Sequence, residues 1–401
     1  MKIYHYKMLI HLLLTLMSVM LFDQCTSKDN YTESLRIALF NIKELTTQKI
    51  TDVDETGNGL NSQLRAAAKI IQKINPDILI INEIDQDYKS IRQGLHLNAL
   101  RFQKAYLSKG DSSLQFAYTY TAPCNTGIIS GFDLNKDGII AGENDIGTRE
   151  YGGDCFGYGS YPGQYAMALF SNFPIDTSGI RTFQKFLWKD LPGNHLPVDF
   201  YGDDAINTLR LSSKSHWDVP VILNGNTVHL FLSHPTPPVF DGDEDRNGRR
   251  NFDEIKFWVD YMANNKAIYD DNGVHGGYHT NEPFIIIGDL NASLTSDSEY
   301  DGQVAINQLL NNTKIKDSVE FLISKGALEG RKPGPPDYYE RSTAKFSKNL
   351  IIRSDYIFVS KNVEVDSGAV FWPGVEEDPQ GHQLAEMASD HRLVWLDVTL
   401  K

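Results

Sequence analysis

Phe284-Ile285-Ile286-Ile287-Gly288-Asp289-Leu290-Asn291 is the stretch on which the reading of this chain turns. A short apolar run bounded by turn residues reads as a strand buried on both faces. An acid and, two residues later, an amide follow directly beyond its last apolar side chain. The same arrangement recurs outward from this point. Asn41 ends the run Leu35–Phe40, Glu83 ends Ile78–Asn82, and His234 ends Val228–Ser233. Two further clusters reverse the order: Asp355 opens Tyr356–Val359, and Asp390-His391 opens Leu393–Val398. If the last two strands run antiparallel to the other four, all these polar residues meet on one rim of the sheets.

Such a rim would gather carboxylates, amides and imidazoles. Oxygen-rich clusters of this kind suit Mg²⁺ or Mn²⁺, which need few carboxylates and keep water ligands. Imidazoles add proton transfer near neutral pH or bind phosphate oxygens. Each residue alone has an ordinary structural explanation, since Asp-Leu-Asn is a common turn and Ser-Asp-His can cap a strand. Their recurrence at successive strand ends is what points to a site.

The rest of the chain fits an α/β protein. Gln63–Ile74 has helical apolar spacing and stops before Asn75-Pro76, and Phe252–Ile268 reads as an amphipathic helix. Ala166–Phe170 is a further strand. The 401 residues are 41% hydrophobic and 22% charged, enough apolar material for a sizeable core. A net charge of −14 argues against a broad basic surface that grips nucleic acid through its phosphates. Two long stretches, Thr121–Gly163 and Pro333–Asn349, carry little regular pattern; loops of that length are functional or independently tied down.

In order, Leu39-Phe40-Asn41, Ile81-Asn82-Glu83, Leu232-Ser233-His234, Gly288-Asp289-Leu290-Asn291, Ser354-Asp355-Tyr356 and Ser389-Asp390-His391-Arg392 resemble the motif series of the endonuclease/exonuclease/phosphatase superfamily. The resemblance spans Asn41 to His391. It implies a four-layer α/β sandwich with two central mixed β-sheets flanked by helices, and a metal-dependent phosphoesterase. It implies Glu83 as principal Mg²⁺ ligand, helped by Asn41 and Asp390. Asp289 would orient or deprotonate water, and Asn291 would hold a phosphate oxygen. His391, paired with Asp355, would serve as base or cationic clamp, and His234 as the acid facing the leaving oxygen.

Lys2 and Lys7 before the apolar run Met8–Phe22 form a signal-peptide pattern over residues 1–25, followed by a polar tether over 26–33 and one domain from 34 to 401. Cys25 stands at a lipoprotein-type junction, although Asp23 and Gln24 replace the small residues usual there. The expectation is an exported protein, in the periplasm or on the cell surface, touching a membrane only through a lipid anchor, and monomeric. Lipidation of Cys25 leaves Cys124 and Cys155 to pair as a disulfide in an oxidising compartment.

Asp133, Asn135 and Asp137, with Asn144 at the last position, begin like a structural Ca²⁺ loop; a polar turn without an ion is the alternative. Asp243, Asp245, Asn247 and Glu254 match that spacing too, but Arg246, Arg249 and Arg250 crowd it. This stretch reads as a flap over the site whose arginines bind a substrate phosphate, or as a solvated helix start. Gln164 is a further candidate contact at the rim. The function expected is hydrolysis of a phosphorylated small molecule. The alternatives are an extracellular nuclease acting on nucleic acid with the same site, and a calcium-stabilised binding protein.

Overall fold

The computed structural model describes residues 34–88, 95–295, 298–329 and 339–400. The apolar run Met8–Phe22, Cys25 and the 26–33 tether lie outside these residues, as do 330–338, which include the start of the second long loop. One six-stranded sheet runs, from edge to edge, Val363–Val370, Val394–Leu400, Ser34–Leu45, Ile78–Ile84, Ala166–Ser171, Tyr118–Tyr120. The other, also six-stranded, runs Ile315–Asp317, Asp355–Ser360, Phe284–Asp289, Asn226–Ser233, His216–Leu223, Arg181–Thr182. Ser34–Leu45 lies parallel to Ile78–Ile84, and Asn226–Ser233 parallel to Phe284–Asp289. Val394–Leu400 and Asp355–Ser360 run antiparallel to their neighbours. These directions bring the polar strand ends to one rim.

The alternation of side chains along each strand builds the layers. Ile285 and Ile287 join the core shared with the first sheet, whereas Phe284 and Ile286 join a second core beneath the helix Arg246–Met262. Ile357 and Val359 divide from Tyr356 and Phe358 in the same way. The helices Ser62–Ile74 and Pro379–Ala388 pack on each other and on the first core. The result is helix, sheet, sheet, helix. Each fully buried isoleucine contributes roughly 1.5–3 kcal/mol relative to exposure, so the strands are held rigidly under the rim.

The first helix starts where Asn61 accepts a hydrogen bond from the Leu64 amide and ends at Asn75, whose φ is 52°. The second departs from expectation. It spans Arg246–Met262 rather than Phe252–Ile268, because Asn264 takes a left-handed φ of 55° and closes it. Its early polar residues face inward: Asn251, Asp253 and Glu254 are buried. The strand His216–Leu223 escaped the sequence reading because Pro220 interrupts its pattern. Beyond Asp218 its outer edge meets the loop Pro174–Asp176, and there Pro220 is asked for its carbonyl alone, which accepts from the Asp176 amide.

The expected disulfide is not formed. Cys124 and Cys155 are buried free thiols with separate surroundings. Cys124 Sγ meets Thr126 Oγ1 at 3.0 Å, and Cys155 Sγ donates to the Tyr151 carbonyl at 3.1 Å. Buried hydrogen bonds tie the Thr121–Gly163 stretch, an insertion in the domain, down instead. Asn125 Nδ2 donates to the carbonyls of Gln184 and Ser212, and Gln184 Nε2 donates to the Cys124 carbonyl. The proposed calcium loop closes on itself: Asp133 accepts from the Gly138 amide, Asn135 from Asp137, and Asp137 from Ile139. Its central carboxylate is Asp154, which accepts from the Leu134 and Ala141 amides, while Asn144 is exposed. Backbone amides thus hold the carboxylates of this turn, while Asp133 Oδ1 is buried without a hydrogen-bond partner.

Candidate active site

Asp289 is the junction. It ends its strand directly opposite Asp355, the first residue of the antiparallel neighbour. Its Oδ1 accepts from Ser354 Oγ at 2.5 Å and from the Asn291 amide at 2.9 Å. Its Oδ2 accepts from Asn41 Nδ2 at 2.8 Å and lies 3.5 Å from His234 Nε2 and 3.6 Å from His391 Nε2. The other Asn41 contact is Glu83 Oε1 at 3.2 Å, and Glu83 Oε2 accepts from the Glu44 amide at 2.9 Å. Residues hundreds of positions apart thus meet at one carboxylate. Gly288 is required for that meeting: a Cβ there would lie 1.9 Å from the Ser233 carbonyl oxygen on the strand that carries His234.

Several backbones at this rim are strained. Glu83, Glu44, Tyr165 and Asn291 have φ of 66°, 50°, 57° and 49°, a region that costs a non-glycine residue roughly 1–2 kcal/mol. Glu83 sits where the register shifts against both neighbouring strands, so the distortion turns its side chain out of the ladder and into the site.

The charges are set by burial and by these contacts. Burial alone would lower the His391 imidazole, but Asp355 at 2.9 Å from Nδ1 and Asp289 beyond Nε2 outweigh it and push it up to about 10. Burial lifts the Asp355 carboxyl to about 6 against the opposing pull of His391. For this coupled pair the proton resides on the histidine. Asp289 remains below the usual carboxylate range, burial being overcome by the His391 charge and by the hydrogen bonds from Ser354 and the Asn291 amide. His234 is driven the other way by its burial and by the nearby Lys214 cation, and stays neutral. That differs from the expected proton donor: a neutral imidazole can donate a hydrogen bond but holds no acidic proton in reserve.

A divalent cation fits beside Glu83. Burial raises the Glu83 carboxyl, as expected for an acid lacking a counter-charge, and Asn41 Oδ1 is buried with no hydrogen-bond partner. Two hard oxygens in want of a cation are what Mg²⁺ or Mn²⁺ coordination supplies. Among the described residues, Asp289, Asp355 and His391 also form a tight cluster with ligand atoms within 4.8 Å of one another. His391 already hydrogen-bonds Asp355 and carries a proton, so that cluster is better described as an ion-paired dyad than as a ligand set. Asp390 lies at the edge, its Oδ2 paired with Lys43 at 2.7 Å.

The arginine flap is not there. Arg250 donates to the carbonyls of Leu211, Phe156 and Arg210, stapling the insertion to its helix. Arg249 donates to the Glu244 carbonyl, and Arg246 pairs with the Glu244 carboxylate. Asn247 and Asp245 belong to the helix start, and Glu254 accepts from the Ser213 and Thr236 amides. These residues do open a helix, as the other reading had it, but not a solvated one: Asp253 and Glu254 are buried and the arginines are held by carbonyls and by Glu244. Gln164 likewise serves its own loop, its carbonyl accepting from the Ser160 amide.

The sequence reading missed one residue near the rim. Lys214 is buried, and its Nζ donates to the Pro235 carbonyl at 3.2 Å, the same oxygen that accepts from Asn291 Nδ2 at 3.1 Å. Burial lowers its ammonium, and the Glu254, Glu83 and Asp289 carboxylates oppose that shift. It precedes the strand broken by Pro220; had that strand been recognised, its antiparallel pairing with Asn226–Ser233 would have put Lys214 on the rim. Tyr165, next to Gln164, has a phenol raised by burial and then by the Glu44 and Glu83 carboxylates.

Two facing sheets with this polar rim define an α/β hydrolytic enzyme. The chain belongs to the Endonuclease/Exonuclease/phosphatase family, whose sequence profile matches residues 38–391. Members of this family hydrolyse phosphoester bonds. An endonuclease/exonuclease/phosphatase from Beutenbergia cavernae superposes with a TM-score of 0.48 at 17% identity, covering 92% of this chain and 72% of that one. A family protein from Leptotrichia buccalis gives 0.48 at 13%, with 91% and 99% covered. Truncated TDP2 from Caenorhabditis elegans gives 0.43 at 13%, with 92% and 98% covered. No curated protein matches the chain.

Proposed function

We propose that this protein is a divalent-cation-dependent hydrolase of organic phosphate mono- or diesters, in which water attacks phosphorus. The observation that carries the reading is the meeting of Asn41, His234, His391 and Ser354 on one buried carboxylate, Asp289. Glu83 and Asn41, with Asp390 at the edge, would hold Mg²⁺ or Mn²⁺; such an ion supplies Lewis-acid charge at a phosphoryl oxygen. The chain's own groups do the rest. His391, protonated between two carboxylates, presents positive charge to the phosphoryl oxygens, and Lys214 adds a second cation. Asp289 stays ionised and orients the attacking water. His234 donates a hydrogen bond through a neutral ring, and Asn291 keeps a second amide proton for a phosphate oxygen.

The acidic balance of the chain favours a small or medium organic phosphate over a nucleic acid. Phosphate release from small mono- and diesters, compared with plasmid degradation, tests this with Mg²⁺, Mn²⁺ and Ca²⁺ in turn. Hydrolysis of no ester under any of the three ions would end the reading; plasmid cleavage alone would move it to a nuclease. We further propose export, supported by Lys2, Lys7 and the run Met8–Phe22 before Cys25. Palmitate labelling that disappears in Cys25→Ser is the expected outcome; unlabelled, cytoplasmic wild-type protein would refute it.

A further inference from the structure

We propose that Phe346, with Leu350 across the same hairpin, forms an apolar platform at the mouth of the site. It receives a planar aromatic group carried by the phosphoester and so sets the substrate class. The inference rests on the phosphoesterase reading above.

Ala344–Lys345 pairs antiparallel with Ile351–Ile352, and the Phe346 amide donates to the Leu350 carbonyl at 3.0 Å. The base of this hairpin is bound to the catalytic groups. Thr343 Oγ1 donates to Asp355 Oδ2 at 2.7 Å and accepts from the Ser354 and Asp355 amides. Lys345 N donates to the Asp390 carbonyl, Arg392 N to the Thr343 carbonyl, and Ala344 bridges His391. The position of the Phe346 ring is therefore set by the site itself. Its centroid lies 5.2 Å from that of His391, at an interplanar angle of 77°.

Packed against a buried imidazole on one side, Phe346 is nonetheless 42% exposed, as is Leu350. A single exposed apolar residue is ordinary. This one touches the group that faces the phosphoryl oxygens. An ester with phosphorus in hydrogen-bonding reach of His391 brings its organic substituent within reach of the ring. The surrounding chemistry sets the size of the occupant. Ser347, Lys348 and Asn349 make the tip polar, and Lys345 is paired with Glu386 beside it. Among the described residues of the hairpin, the exposed large apolar side chains are Phe346 and Leu350, which suits one flat ring rather than a protein or a membrane. Offset stacking or edge contact with such a ring adds about fivefold or more in affinity over an aliphatic stub.

Calorimetric binding of phenylphosphonate and methylphosphonate, with Mg²⁺ present, reads this without turnover. The full chain is expected to prefer the phenyl compound by about fivefold or more. Phe346→Ala should remove most of that preference and Phe346→Leu part of it. An absent preference in the wild type, or one that persists in Phe346→Ala, overturns the proposal. So does an equal loss of both phosphonates in both variants, which would mean that the ring only steadies His391. If Phe346→Ala fails to fold, judged by thermal melting, Phe346→Leu decides on the same ratio. An enzyme that shows the phenyl preference but cleaves no ester would sink the hydrolase reading alone; turnover without the preference would sink this one alone.

Discussion

Glu83 has two hydrogen-bond donors, Asn41 Nδ2 and the Glu44 amide, and no cation among its direct contacts, so burial disfavours its charge. Glu83→Gln keeps the shape and removes that charge. Turnover should fall about 10²–10³-fold, the loss typical of one preorganised electrostatic group. Thermal melting in chelator should be unchanged or slightly raised, because a disfavoured charge has gone. Near-normal kcat would mean that the site is misplaced. Lys214 makes the complementary case. Lys214→Met removes a buried cation that touches neither core cluster's apolar function but faces the acids of the site. Its kcat/KM on a phosphoester should drop about tenfold or more while stability holds. Equal loss of stability would show that the ammonium is a structural strut.

At the scale of the element, the parallel pair Asn226–Ser233 and Phe284–Asp289 delivers His234 and Asp289 together. Gly288→Ala would force these strands apart, since the new Cβ meets backbone rather than a flexible side chain. We expect a lower melting temperature and a greater loss of activity than any rim substitution of similar size causes elsewhere. An active, normally stable Gly288→Ala protein would contradict the strand register. His229 ties the same strand outward, its Nδ1 2.6 Å from Asp218 and its Nε2 3.0 Å from Glu282. Burial lowers its imidazole, but the two carboxylates outweigh this and raise it. A raised pKa in the folded state means that the stabilisation is complete below about pH 6.5, the unfolded value, and fades as pH rises through the folded one. His229→Gln should therefore cost about 2 kcal/mol at pH 6 and much less at pH 9, by urea unfolding. A cost independent of pH would rule out the charged pair.

For the whole molecule, the insertion Thr121–Gly163 is held by buried amides, Arg250 and Asn125, not by a covalent bond. A chain beginning at Ser34, alkylated in denaturant, should take up label at both Cys124 and Cys155 whether or not reductant is added. Protection of both thiols without reductant would restore the disulfide. The strand ends were legible in the sequence because apolar alternation and the polar residue that follows it are local features, written within a few positions. Leu39-Phe40-Asn41 and Ile287-Gly288-Asp289 needed no partner to be recognised. Less legible were Lys214, hidden before a strand broken by Pro220, and Arg250, whose length suits phosphate and backbone carbonyls equally well.

By itself the sequence determined most of the central strands and the polar residue that follows or opens each apolar run, and thus the identity of the residues to be brought together, since hydrophobic periodicity is a local pattern; the order of the strands in the two sheets came from the fold. Only the tertiary structure decided which of them are charged. His391 holds a second ring proton and His234 does not, although the two are the same residue type at the same rim. Desolvation and the nearest carboxylate make that difference, and both come from neighbours tens to hundreds of residues away. The fate of the arginines and the thiols was settled in the same way, by the carbonyls and hydroxyls that folding placed within reach.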